Sequence, residues 1–260
     1  MVGLANTPAG DSREFDSQQL LTLLRERHTS RSGYLEDKPV SNEQIEMLLE
    51  AARAAPSAGN GQPWEFIVIR DRDTRHRIAE LFKRQLQNKI ELERTIRGHA
   101  KVGASIGFRF APVLILCLGD PRVSAAYPLR TREEKAESHF YSSLANALLQ
   151  MMLMAECLGL GTQYISDVSS PYFSLMIKHL LDIPRELKVY HLVPVGHISA
   201  RAQPRPRSRR PLETMVHYDR YDRSKERTAD DIERFVQQES IQSKSYQWGN
   251  AKNSAPDKPQ

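Results

Sequence analysis

The chain has 260 residues, of which 40% are hydrophobic and 27% charged, a composition typical of a globular protein that buries a core without disulfides. Its net charge of +5 allows anionic partners but does not choose among nucleic acid, a membrane surface and a phosphorylated small molecule. The two cysteines, Cys117 and Cys157, lie in apolar surroundings, which predicts buried, reduced thiols in a cytoplasmic protein and excludes a disulfide framework.

The first part of the chain predicts two helices and a strand. Residues 15–27 carry four leucines on one apolar side. Ser41 and Gln44 form a capping-box pattern at the start of a second helix, which Pro56 stops. Residues 64–69 alternate and are rich in β-branched side chains, which predicts a strand.

The middle of the chain predicts two further helices around a buried strand. Residues 72–104 are highly charged with one apolar stripe, and residues 113–118 form a continuous apolar run. Residues 120–138 are polar and irregular, a candidate lid or mobile loop. Residues 140–158 are apolar nearly all round, which predicts either a central core helix or a helix in a dimer interface.

Beyond this helix the elements are short. Gly159 ends the helix in the C′ position, and a short strand is predicted over residues 162–165. Pro171 begins another helix, and residues 189–196 predict a strand. The prolines of residues 200–211 exclude regular structure.

The order of these elements predicts an α/β or α+β domain over residues 15–238. Residues 1–14 and 239–260 are predicted to be disordered tails. The N-terminus lacks the basic-then-apolar order of a signal peptide, and no apolar run is long enough to span a bilayer, so no membrane association is expected.

The sequence lacks two motifs that would indicate other kinds of binding site, a dinucleotide loop and a metal site. The stretch Gly159-Leu160-Gly161 lacks the third glycine of a dinucleotide loop and follows a helix where that motif requires a strand. The histidines show no paired ligand spacing on a helix, so no metal is expected.

Two basic clusters and one polar loop remain. The clusters are residues 27–31 and the arginines of residues 201–210, and each is either a solvated surface or a phosphate site, because guanidinium groups bind phosphate bidentately. The second cluster also suits nucleic acid, although no aromatic residues interleave with its arginines. The loop at residues 56–62 is either a self-satisfied turn or a binding loop for a flat polar heterocycle.

Taken in order, seven segments over roughly residues 15–216 resemble the FMN-dependent nitroreductase family. They are RHTSR at 27–31, LLEAARAAPSAGNGQPWEFIVI at 48–69, APVLILCLGD at 111–120, SLANALLQMMLMAECLGLGTQYI at 143–165, LLDIP at 180–184, VPVGHIS at 193–199 and SRRPLETMV at 208–216. The combination and its order are specific, whereas no single segment is. The resemblance implies an α+β fold, a three-layer α/β/α sandwich with a central, mostly antiparallel sheet, in an intertwined homodimer with FMN at the interface.

The resemblance also implies roles for individual residues. Arg27 and Thr29, with His28 beside them, would hold the FMN phosphate and ribityl chain, and Arg31 would lie near N1–O2 of the ring. Arg209, with Arg207 or Arg210, would reach the phosphate from the C-terminal segment. The remaining implied flavin contacts are Pro56, Ser57, Ala58 and Asn60 from the other subunit, and Ile165, Ser166 and Asp167 near N5.

The function that the resemblance implies is an FMN-dependent oxidoreductase in which NADH or NADPH reduces the flavin and a nitroaromatic, quinone or similar flat small molecule then takes the electrons. Gly59, Tyr127, Arg130 and His139 are the candidate substrate contacts, and no side chain is expected to act as a catalyst. The alternatives are a dehydrogenase, dehalogenase or flavin-fragmenting enzyme of the same fold, and a basic nucleic-acid-binding module.

Overall fold

The computed structural model describes residues 16–97, 106–202 and 209–238, which form an α+β fold of helices packed on one antiparallel sheet. The helices are α1 (Ser17–Glu26), α2 (Asn42–Arg53), α3 (Arg72–Arg97), α4 (Leu129–Cys157), α5 (Pro171–Leu180) and α6 (Ala229–Gln238). The strands are β1 (Trp64–Ile69), β2 (Val113–Gly119), β3 (Gly161–Thr162) and β4 (Lys188–Gly196).

The sheet has the order β1-β2-β4-β3, and its neighbouring strands pair antiparallel. All seven residues of β2 are buried, because helices cover both faces of the sheet. Ile115 and Cys117 face a core that contains residues of α2 and α4. Leu114 and Leu116 face a second core that contains residues of α3 and α5. The predicted α+β sandwich with a mostly antiparallel sheet is therefore confirmed.

Local sequence signals set several helix ends as expected. The hydroxyl of Ser41 accepts a hydrogen bond from the Gln44 amide, and the Gln44 side chain accepts one from the Ser41 amide, which completes the capping box. Gly159 has a φ of 66° at the end of α4. The amides of Gly159 and Leu160 donate to the carbonyls of Glu156 and Ala155, the two hydrogen bonds of a Schellman motif.

The expectation of an irregular loop over residues 120–138 is wrong for most of its length. A 3₁₀ turn spans Pro121–Ala126, and α4 begins at Leu129, well before the predicted start at residue 140. The first turns of α4 are solvated and carry no apolar stripe, so periodicity does not detect them. An Arg130–Glu134 pair at i, i+4 spacing supports the helix there.

Two smaller expectations also need correction. Strand β3 covers only Gly161–Thr162, and Ile165 instead forms an isolated bridge with Leu192. Cys117 is buried as expected, but Cys157 is exposed because it ends α4 on its outer side. The predicted tails, residues 1–14 and 239–260, lie outside the described residues.

The apolar helix α4 is only partly covered within one chain. Leu144, Ala147, Leu148 and Met151 are fully buried in the core, but Leu149 is 49% exposed. Helix α1 buries none of its residues, and its leucines at positions 20, 21 and 24 are exposed. Helix α4 is therefore a core helix with one apolar position open to solvent. The homodimer stays a prediction.

Candidate functional site

The segment at residues 27–31 leaves the end of α1 and lies beside β3. The Ser30 amide donates to the Thr162 carbonyl over 2.8 Å, and the Ser30 carbonyl accepts from the Tyr34 hydroxyl over 2.7 Å. Ser30 is buried, whereas Arg27, Thr29 and their neighbours His28 and Arg31 are half-buried. The segment is thus fixed at the edge of the sheet, with two arginines and a threonine hydroxyl in close succession.

His28 connects this segment to the C-terminal end of α4. Its Nδ1 lies 3.6 Å from a carboxylate oxygen of Glu156, and its Nε2 lies 3.4 Å from the Ser30 hydroxyl. Glu156 therefore faces the basic segment and offers His28 a partner when the imidazole is protonated.

The stretch that follows β3 lies next to this segment. Burial raises the pKa of the Tyr164 phenol, and the positive charge of nearby Arg27 opposes that rise. Ile165 exchanges two backbone hydrogen bonds with Leu192, of 3.0 and 3.1 Å, while Ser166 is exposed. The Asp167 carboxylate accepts a hydrogen bond of 2.6 Å from Lys89 on α3.

The side-chain oxygen of Gln163 is buried without a hydrogen-bond partner. An unpaired buried acceptor of this kind costs about 1–3 kcal/mol, and because protein atoms enclose this oxygen it does not face an open ligand site. The strand-edge group, defined as residues 27–31 together with β3 and residues 163–167, therefore places basic groups and a hydroxyl at the edge of the sheet.

A second group of candidate residues lies against the middle of α4. The Ala58 amide donates to the Ser143 hydroxyl over 3.2 Å, and the Asn146 side chain donates to the Pro56 carbonyl over 3.1 Å. The Ser57 hydroxyl accepts from the Gln62 amide over 3.1 Å, which closes the turn on itself. The self-satisfied turn exists, and it is also anchored to α4.

The backbone of this loop is unusual. Gly59, Asn60 and Gln62 have φ values of 58°, 53° and 43°. A left-handed conformation costs a non-glycine residue about 1–2 kcal/mol, and such strain persists only where the surroundings hold it. The hydrogen bonds from the Ala58 amide to Ser143 and from Asn146 to the Pro56 carbonyl attach the loop to α4 and so restrain this conformation.

Tyr127 and His139 join the second group, whereas Arg130 does not. A Cβ at Gly59 would lie 3.4 Å from the Tyr127 ring, which packs edge-on against His139 at a centroid distance of 6.0 Å. The Tyr127 hydroxyl is buried without a partner. The Arg130 side chain is 86% exposed and pairs with Glu134.

The C-terminal arginines are placed only in part. Arg207 lies outside the described residues, and Arg209 is exposed. Arg210 donates to the Thr214 carbonyl over 3.0 Å and lines a cavity of about 580 Å³ together with residues of α6.

The two groups are far apart within one chain. Ser143 and Glu156 are 13 residues apart on α4, which separates them by about 20 Å along the helix axis. The strand-edge group lies at the Glu156 end, and the 56–60 loop lies at the Ser143 end. A single chain therefore presents two half-sites.

The described residues limit the kinds of site present. Over residues 16–97, 106–202 and 209–238, no group of three histidine, cysteine, aspartate or glutamate side chains is arranged to hold a metal ion. Within the same residues, no helix is long and apolar enough to cross a membrane.

Comparison with known proteins decides the family. The sequence model of the nitroreductase family matches residues 24–197, which contain both half-sites except the C-terminal arginines. The chain belongs to the nitroreductase family.

Relatives agree with this assignment, and solved structures share the fold. A protein of Archaeoglobus fulgidus, provisionally named an NADH dehydrogenase/NAD(P)H nitroreductase, is 29% identical over 62% of this chain and 76% of its own length. Human iodotyrosine deiodinase 1 is 25% identical over 77% of this chain and 68% of its own length. A protein of Desulfovibrio desulfuricans, provisionally named a nitroreductase and solved in complex with FMN, is 24% identical; the match covers 78% of this chain and 98% of that chain, with a TM-score of 0.56.

Two side chains that touch the half-sites of this nitroreductase-family chain were not predicted from the sequence. Ser143 and Lys89 carried no local signal, because their partners Ala58 and Asp167 are 85 and 78 residues away in the chain.

Proposed function

We propose that this member of the nitroreductase family is an FMN-dependent oxidoreductase that uses NADH or NADPH to reduce a flat acceptor such as a nitroaromatic or a quinone. The observation that carries the proposal is the strand-edge group, in which the hydrogen bond from the Ser30 amide to the Thr162 carbonyl fixes the basic 27–31 segment against β3. The chemistry supplied by bound FMN is acceptance of a hydride at N5 and delivery of the electrons to the second substrate.

The residues of the strand-edge group fit FMN. Arg27 and Thr29 combine a guanidinium and a hydroxyl, which suit a phosphate monoester, and His28 lies beside them. The planar, positively charged guanidinium group of Arg31 suits the N1–O2 side of the ring.

Other residues would complete this site. Ile165, Ser166 and Asp167 would lie near N5, and Arg209 with Arg207 or Arg210 would reach the phosphate. The protein would orient the two substrates and exclude water, and none of its side chains needs to form a covalent bond.

The function also requires two copies of the chain. The 56–60 loop lies about 20 Å along α4 from the strand-edge group, so we assign it to the flavin bound mainly by a second copy. In that dimer, Pro56, Ser57, Ala58 and Asn60 would approach the ring, and Gly59, Tyr127 and His139 would line the acceptor side. We assign the interface to the exposed leucines of α1 and to Leu149 of α4, which offer an apolar surface next to the two half-sites.

FMN binding tests the assignment of the phosphate group. Arg27→Ala removes one charge-assisted contact worth about 1.5–3 kcal/mol, so we expect the dissociation constant for FMN to rise by roughly 10-fold to 150-fold. Arg25→Ala is the matched control, because Arg25 is an exposed arginine in the last turn of α1. Equal FMN affinity in the two variants would place the phosphate elsewhere.

Reductive dehalogenation is the second candidate function. It is favoured by the match to human iodotyrosine deiodinase 1, which extends over 77% of this chain. Both functions use the same flavin site, so the acceptor separates them. Photoreduced protein that is reoxidised by an iodotyrosine with release of iodide, and not by nitroaromatics or quinones, would select dehalogenation.

A further inference from the structure

The C-terminal half of α3 contacts the loop between β3 and α5. Lys89 donates to Asp167 over 2.6 Å, and Gln85 donates to the Ser170 hydroxyl over 3.3 Å. The two α3 residues are four positions apart and so lie on one face of the helix. Asp167 begins a 3₁₀ turn, and Ser170 is the N-cap of α5, so α3 contacts the loop at both ends.

The Lys89–Asp167 pair differs from the exposed pairs on single helices. Its side chains are 40% and 28% exposed, and it joins segments 78 residues apart. A charge-assisted hydrogen bond in a partly shielded position restrains the chain more than a fully solvated pair does. The pair therefore fixes the loop that the proposed function puts beside N5.

We infer that Lys89 is a positioning residue of the flavin site, holding the 166–170 loop against α3 and compensating the charge of the Asp167 carboxylate. The inference rests on the proposed function and assigns a role to the charged helix α3, which sequence reasoning left without one. An uncompensated carboxylate beside a flavin would oppose the gain of negative charge on reduction. Lys89 thus favours the reduced state of the cofactor through Asp167.

Five variants separate charge from structure. Lys89→Gln keeps a hydrogen-bond donor but loses the positive charge, and Lys89→Met loses both the donor and the charge. Lys89→Arg retains both. Asp167→Asn is made alone and together with Lys89→Gln. Lys83→Met is the matched control, because Lys83 is 49% exposed on α3 and pairs with Glu80 of the same helix at 3.8 Å.

The first measurement uses the protein without flavin. The amides of Ser169 and Ser170 donate to the carbonyls of Ser166 and Asp167, so their hydrogen exchange reports opening of the loop. We expect Lys89→Met to speed their exchange by about tenfold, the effect of losing one charge-assisted hydrogen bond. Lys83→Met should leave it unchanged, and Lys89→Arg should restore the wild-type rate.

The second measurement is the reduction potential of the bound flavin. Lys89→Gln should shift it to a lower value, Asp167→Asn to a higher value, and the double variant should lie near wild type. Shifts of one sign in all three, or none, would contradict charge compensation. If the Lys89→Met protein binds FMN and matches Lys83→Met in the hydrogen exchange of the loop and in the reduction potential of the flavin, only this inference is overturned. A wild-type protein that binds no FMN overturns the proposed function as well.

Discussion

The hydrogen bond between Ala58 and Ser143 provides a direct test of how the 56–60 loop is held. Ser143 is buried, its hydroxyl donates to the His139 carbonyl over 2.7 Å, and it accepts from the Ala58 amide over 3.2 Å. Ser143→Ala removes the acceptor and leaves the Ala58 amide without its partner. An orphaned donor of this kind costs about 1–3 kcal/mol, so we expect the free energy of unfolding to fall by that amount.

Ser142 is a closely matched control. It is the next residue on α4, and its hydroxyl also donates to the His139 carbonyl, over 3.1 Å, but its side chain is exposed. Ser142→Ala should change the free energy of unfolding by less than about 0.5 kcal/mol. Urea denaturation of the two variants gives the difference, and FMN titration shows whether the loosened loop also weakens cofactor binding. Equal stability of the two variants would refute the assignment of this contact as the anchor of the loop.

Three further predictions address the dimer, the end of α4 and acid stability. Leu149→Glu should dissociate the homodimer and weaken FMN binding without unfolding the chain, because Leu149 is 49% exposed in one copy. Leu175→Glu on α5, at another exposed leucine, is the control. Equal masses of the two variants in light scattering would contradict the α4 interface. Gly159→Ala should lower the free energy of unfolding by about 1 kcal/mol, because φ is 66° at this position. Steric clash adds nothing, since the added Cβ would meet no neighbouring atom within 4 Å. Thermal unfolding indistinguishable from that of the wild type would show that the end of α4 adopts another backbone conformation without cost. Burial lowers the pKa of His191 in the folded chain, so the unfolded chain binds more protons and stability is lost as the pH falls through about 6.5, the ordinary pKa of histidine. His191→Phe should reduce that loss when the free energy of unfolding is measured at decreasing pH. An unchanged slope of the unfolding free energy against pH would exclude His191 as its source.

Local signals were sufficient where a few neighbouring residues set the backbone. The Ser41 capping box, the Pro171 helix start and the Gly159 helix end all act within one turn of helix, and the structure has each of them. The apolar run at β2 was equally readable, because helices on both faces of the sheet leave none of its residues exposed.

The first turns of α4 were not predicted, because a solvated helix lacks an apolar stripe. The i, i+4 pair of Arg130 and Glu134 was the available signal. Strand β3 was misplaced because it contains only two residues, and its pairing with β4 depends on tertiary packing.

In the candidate site, too, features set by neighbouring residues could be predicted, whereas features set by tertiary contacts could not. The basic residues at 27–31 are contiguous, so their chemistry is readable from the sequence. The contacts that orient the site join Ala58 to Ser143 and Lys89 to Asp167 across much of the chain, and no local pattern encodes them. The separation of the two half-sites along α4 is likewise a property of the folded helix.

Anaerobic stopped-flow mixing tests whether this chain holds FMN and passes electrons from a nicotinamide cofactor to an acceptor. The purified, FMN-reconstituted protein is mixed with NADH and with NADPH, and a nitroaromatic or a quinone is then added. We expect at least one of the two donors to bleach the visible absorption of the bound flavin, and the acceptor to restore it. A protein that binds FMN but is bleached by neither donor would contradict the proposed function.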